Sequence, residues 1–364
     1  MSDQSEPRLV PHFRDLDGIR GVLAVAVMLY HYGIDVIFNR LTGGFVTNSG
    51  LGLSVDFFFI LSGLVLARSY LRRPRTFGQR FVERIFRLLP LHLVLMGALS
   101  VLFTLAPGQQ AFFGAHAEGV AGYLAQLASV SVLFGLHRWN DASWTIGYEL
   151  YVPIVLAVFL PPLQRSSGPV RIALCAVFTL LEIICLWAVF AHDDPFGVFR
   201  GVLGLAFGGA LYLVVMSENP LIKLPSTRFC LPVLLVVSTA LMVFVSALPM
   251  LAPLIAALFI LTVALGTRSS SFLGRGLFAW LGRISFSVYL VHQPLRAWVY
   301  YAMGTDSFDG RLDIKIMLIA AVLALATLLQ RMVEQPFIRF GKRISDRLGD
   351  TPHVSKRPVS APGG

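Results

Sequence analysis

Charge is scarce in this chain, and acid scarcer than base. Asp, Glu, Lys and Arg make up 14% of its 364 residues, with 20 acidic groups against 30 basic ones. A water-soluble domain carries about 25% charged residues, so a soluble globular protein is excluded. Cysteine is nearly absent as well. The three thiols, Cys175, Cys185 and Cys230, lie in or beside apolar runs, which excludes a disulfide framework and a cysteine-built metal site. No inverted repeat of the kind found in many transporters is visible. The first 15 residues lack a short apolar core and a small-residue cleavage site, so no cleavable leader is expected. The net charge of +10 does not imply nucleic acid as a partner, because membrane proteins concentrate Lys and Arg in their cytoplasmic loops.

What the chain has in abundance is apolar length. Hydrophobic residues make up 56% of it, the mean hydropathy is +0.72, and runs of roughly 20 apolar residues recur, each long enough for ~30 Å of hydrocarbon. The pattern predicts an all-α, polytopic transmembrane bundle. Its ten spans fall at 18–38, 52–70, 86–106, 144–161, 170–191, 198–216, 229–247, 249–266, 280–301 and 313–334. A more polar stretch, 119–137, is either an eleventh span or a helix at the interface. Without that crossing, both termini fall on one side together with 24 of the 30 basic residues, seven of them in 68–87 ("RSYLRRPRTFGQRFVERIFR"). An eleventh crossing would scramble the asymmetry, so ten spans with cytoplasmic termini are expected. Residues 1–15 then form a cytoplasmic segment and 16–340 one membrane domain. Residues 341–364 form a cytoplasmic tail, its Pro/Gly/Ser-rich end expected to be disordered.

Ionisable groups at bilayer depth are costly and default to functional candidates. In "LDGIRGVLAVAVMLYHYG", Arg20 and His31 are eleven residues apart. At about 100° per residue they share a helix face, ~16 Å apart along the axis. The alternative for the pair is a snorkelling arginine and a satisfied core histidine. Asp56, Glu149 and His292 lie on three other spans and come out with His31 in the outer half of the membrane, which points to a shared polar site. Arg84 and Arg87 enter the third span on adjacent turns ("RIFRLLPLH"). Guanidiniums at a helix mouth suit bidentate phosphate binding, although most arginines of that loop need only set orientation and meet anionic lipid. Glu182 is a further intramembrane acid, either paired with a base or structural. Glu334 is expected to pair with a nearby arginine.

Five segments in order, "LDGIRGVLAVAVMLYHY", "SVDFFFILSGLVLA", "RFVERIFRLLPLH", "SWTIGYELYVPIV" and "LGRISFSVYLVHQPL", resemble the acyltransferase 3 family of integral membrane acyltransferases over about residues 13 to 340. Two positions depart from its pattern: Ser143-Trp144 is followed by Thr145, and Phe286 stands where the family has Tyr. The resemblance implies transfer of an acyl group, usually acetyl, from cytoplasmic acyl-coenzyme A to a hydroxyl. The acceptor it implies is an exported or lipid-linked glycan, or alternatively a secondary metabolite such as a macrolide. In that chemistry Arg20, Arg84 and Arg87 hold the donor phosphates. His31 is general base or transient acyl carrier, and Glu149 or Asp56 orients its ring. His292 and Trp144 face the acceptor. No metal is required, the partners are donor, glycan and lipid, and the location is a bacterial plasma membrane. The rival from another class is a transporter using His31, Glu149 and Asp56 as a proton relay, which leaves the arginine pair unexplained.

Overall fold

The computed structural model describes residues 13–34, 36, 40, 54–72, 75–106, 119–131, 138–192, 197–216, 252–265, 273–304, 308 and 310–349. Within these residues the regular structure is helical throughout, with no strand. In hydrocarbon every backbone N–H and C=O must find a partner, and a helix satisfies its own. The elements are α1 (Phe13–His31), α2 (Ser54–Arg72), α3 (Phe77–Leu105), α4 (Gly119–Leu127), α5 (Trp144–Arg165), α6 (Gly168–His192), α7 (Gly197–Leu211), α8 (Ala252–Leu265), α9 (Gly276–Met303), α10 (Leu312–Leu329) and α11 (Gln335–Gly349). A π-helical turn, Tyr212–Met216, extends α7, and another, Gln330–Glu334, joins α10 to α11. Five helical stretches are long and apolar enough to cross a membrane: Ser54–Arg72, Phe77–Leu105, Asp141–Arg165, Gly168–Val189 and Leu312–Gly349. The protein is a multi-pass membrane protein.

The span expected at 229–247, with Cys230, lies outside the described residues. Of the ambiguous stretch 119–137, residues 119–131 are described, and within them the nine-residue α4 rises ~13 Å, less than half the hydrocarbon thickness. The helix that follows the last span runs on through Gly349 and therefore includes the first residues of the expected tail. Its arginines and lysine lie on one exposed side, while Gly341 and Ser345 are buried. Gly341 fits there because a larger side chain would run into the Phe86 ring on α3. Arg75 ties the two elements together, with Nη1 donating to Ser345 Oγ at 2.8 Å and Nη2 to Asp346 Oδ1 at 3.0 Å.

Lipid tails are as apolar as leucine, so helices in a bilayer gain little by hiding apolar surface from one another. Close approach, dispersion and hydrogen bonds hold them instead. Two helix pairs show this. Along α1 and α9, a methyl on Gly21 would overlap the Leu281 backbone, and one on Gly282 would overlap the Asp17 carbonyl. Along α2 and α7, a methyl on Gly63 would strike the Leu205 carbonyl and one on Gly208 the Ile60 carbonyl. Around these seams sit two apolar clusters. One joins Met28, Phe59, Tyr148, Val288 and Val322, and the other joins Leu16, Phe57, Leu64, Phe207 and Ile260.

Candidate active site

The glycine seam between α1 and α9 decides which polar groups meet. The two helices touch near Asp17–Gly21 and Leu281–Gly282 and run together over their length, so the far end of α1 reaches the far half of α9. The rings of His31 and His292 lie there with centroids 5.1 Å apart. Tyr32 Oη donates to the His292 carbonyl at 2.8 Å, and Arg296 Nη1 donates to the His31 carbonyl at 2.7 Å. The second bond is made to a carbonyl at the C-terminal end of α1. His292 is fully buried, and neither ring nitrogen makes a well-aligned hydrogen bond among the described residues. His31 is half-buried, and the charged groups acting on its ring are Asp141 and Arg296.

Two cavities lie along α1 and α9 on the Arg20 side of this pair. The outer one, about 380 Å³, is lined by Asp17, Arg20, Arg87, Arg283, Glu334 and Gln335 among others. The inner one is a narrow pocket bounded by Arg20, Phe58, Phe59, Thr145, Glu149 and Tyr289 among others. Arg20 lines both and stands at their junction, with Asp17 Oδ1 3.7 Å from its Nη1. Tyr289 forms part of the inner wall, and its ring centroid is 5.9 Å from that of His292. A cationic vestibule and a narrow apolar pocket thus share Arg20, and the Tyr289 wall separates that pocket from the histidine pair. From Arg20 to His31 the helix rises ~16 Å.

Other residues singled out in the sequence go to different places. Glu149 borders the inner pocket, and its Oε1 accepts from Ser62 Oγ at 3.2 Å. Arg87 is exposed and lines the vestibule. Arg84 is half-buried and turns away from it, donating Nη1 to the backbone carbonyl of Glu149. Residues three apart on a helix differ by about 60° in direction, enough to send the two arginines to different neighbours. Asp56 does not join the histidines. Both its oxygens are taken by Arg200, Nε to Oδ1 and Nη2 to Oδ2, with Glu182 close enough to act on the pair. Trp144 packs edge-on against Phe59, centroids 5.3 Å apart, and beneath the Arg200 guanidinium at 6.0 Å. Glu334 has no direct ion pair among the described residues, and its Oε2 accepts from Ser287 Oγ at 2.8 Å.

Sequence reasoning missed Arg200, Arg283, Arg296 and Tyr289. Arg200 and Arg283 sit at the edges of apolar runs, where a charge reads as a loop residue. Tyr289 lies three residues before His292 on a helix, a spacing that puts both on one side. Among the described residues no three His, Cys, Asp or Glu side chains converge with metal-ligand spacing.

A family model for an acyltransferase domain, Acyl_transf_3, matches residues 13–331. The chain belongs to the acyltransferase 3 family. Among curated proteins it is similar to the putative membrane-bound transacylase BcsY of Komagataeibacter xylinus. That protein is 28% identical over 224 residues, covering 57% of this chain and 53% of the relative, so the match spans about half of the relative's length. No solved structure matches. The family match contains α1 through α10, and so takes in the histidine pair, the inner pocket and most of the vestibule of this acyltransferase 3 member.

Proposed function

We propose that the protein is an O-acyltransferase that moves an acyl group, acetyl in the first instance, from acyl-coenzyme A to a hydroxyl of an exported or lipid-linked glycan. The vestibule lies on the cytoplasmic side in this reading, since the arginine-rich 68–87 loop and α11 flank it. The protein then resides in a bacterial plasma membrane with both termini inside and about ten crossings. The observation that carries the reading is Arg20, shared by a cationic vestibule and by a narrow pocket whose wall includes Tyr289, the ring that packs against His292.

Coenzyme A joins a phosphorylated nucleotide to a thin pantetheine arm. Arg20, Arg87 and Arg283 suit the phosphates, because guanidinium matches them bidentately. The inner pocket, about 30 Å³ as it stands, has to widen to take the arm, and in this reading that opening brings the thioester toward the histidines while the nucleotide stays in the vestibule. A hydroxyl attacks a thioester slowly until a base takes its proton, and imidazole suits that task near neutrality. His31 removes the acceptor proton as the oxygen attacks the carbonyl carbon. The C–S bond then breaks, and the proton passes to the departing sulfur, giving an ester and free coenzyme A. His292, packed on His31, shares the proton transfer or orients the acceptor, and the Glu149 carboxylate adds negative charge beside the passage. The Trp144 ring offers a face to the sugar. The Asp56–Arg200 pair holds that ring in place.

The test uses purified protein in nanodiscs, with acetyl-coenzyme A and extracted surface glycan, and follows thiol release and ester formation. His31→Ala should lose transfer while remaining folded and inserted. Full activity in that variant would remove His31 from the chemistry, and failure of wild-type protein to consume acetyl-coenzyme A would remove the donor.

A further inference from the structure

Within an α-helix each carbonyl accepts from the N–H four residues on, and a proline at that position has no N–H to give. Pro153 lies inside α5 and Pro294 inside α9. The carbonyls they leave without a helical donor belong to Glu149 and Leu290. Each is taken by a side chain from another element. Arg84 Nη1 reaches from α3 to the Glu149 carbonyl, and Asn140 Nδ2 reaches the Leu290 carbonyl at 3.0 Å. A buried, unsatisfied carbonyl is costly in a site that excludes water. The two freed carbonyls also flank the site, since Glu149 borders the inner pocket and Leu290 precedes His292 by two residues.

We propose that Arg84 is a positioning residue, which replaces the N–H that Pro153 lacks and so holds Glu149 at the passage, while Arg87 alone of this arginine pair meets the donor. Its mechanistic part rests on the acyl-transfer reading above. The backbone part does not. Proline at 153 frees the local chain to bend, and the guanidinium, a charged donor stronger than an amide N–H, fixes the bend. The half-buried position of Arg84 and the exposed, cavity-lining position of Arg87 are the geometric basis for dividing their roles.

The experiment compares Arg84→Ala, Arg87→Ala, Pro153→Ala and the double variants Arg84→Ala/Pro153→Ala and Arg87→Ala/Pro153→Ala, all in nanodiscs. Alanine at 153 restores a backbone donor and should fold readily. Coenzyme A binding is measured by calorimetry, acetyl-coenzyme A turnover by thiol release, and stability by thermal unfolding. Arg84→Ala should reduce turnover about tenfold or more, lower the unfolding midpoint, and leave coenzyme A affinity within about threefold of wild type. Adding Pro153→Ala should recover both turnover and midpoint, and should do nothing for Arg87→Ala, whose defect is in affinity. Equal loss of coenzyme A affinity in the two arginine variants would overturn the proposal, as would failure of Pro153→Ala to recover the unfolding midpoint. If wild type neither binds coenzyme A nor consumes acetyl-coenzyme A, the donor reading falls, and the recovery of the midpoint still decides the backbone role.

Discussion

Two polar clusters lie inside this bundle, one along α1 and α9 and the other across α2, α6 and α7. In the second, Arg200 grips both oxygens of a fully buried Asp56, with Glu182 beside them. That cluster answers charge with charge and opens into neither of the two cavities. In the first, the His31 and His292 rings pack at a tilt with centroids 5.1 Å apart, and Arg20 opens onto both cavities. Both clusters place ionisable groups where they are expensive. Depth in the membrane therefore does not by itself tell an accessible group from an enclosed one. What distinguishes the two clusters is access: Arg20 lines both cavities, whereas Asp56, Glu182 and Arg200 line neither.

The sharpest way to break the comparison is to remove one member from each side. His31→Ala should cut acyl transfer by about two to four orders of magnitude, with unchanged yield and a monodisperse profile on size-exclusion chromatography. Arg200→Leu should act the other way, on folding. It strands two carboxylates in a dry interior, a loss of about 3–5 kcal/mol, read as collapse of the monodisperse fraction. Asp56→Asn should be milder than Arg200→Leu, because Glu182 remains to face the guanidinium. The reverse order would mean that Asp56 has a role of its own beyond the pair. A smaller effect is expected at the seam that brings the histidines together. Gly21→Leu drives a side chain into the Leu281 backbone and should cost about 1–3 kcal/mol of stability, with activity falling as α1 shifts on α9. The smallest effect belongs to the α3–α11 edge. Glu83→Ala removes one partially exposed partner of Arg75 and should change the unfolding free energy by no more than about 1 kcal/mol.

The sequence made some of this legible and hid the rest for identifiable reasons. Eleven residues at a helical period put Arg20 and His31 on one face, a property of α1 alone. The shared chain direction of the first and ninth spans puts His31 and His292 at one level, a matter of counting. Asp56 came out at the same level by the same count, yet its carboxylate goes to Arg200. Counting measures depth along a helix axis and says nothing about which neighbour a face meets. Arg84 and Arg87 look alike in sequence as two arginines at one helix mouth. Only the position of α5, and of Pro153 within it, separates them.

By itself, the sequence determined that this chain lives in a membrane, that its polar groups gather on a few spans, and that its motifs are those of an acyltransferase. Hydropathy, period and motif order are properties of neighbours along the chain. The tertiary structure decided which charges pair, where an arginine meets a cavity or a carbonyl, and which two of the candidate groups pack together. Those outcomes depend on how helices are rotated against one another. That rotation is set by glycine seams and cross-helix hydrogen bonds between residues tens to hundreds of positions apart.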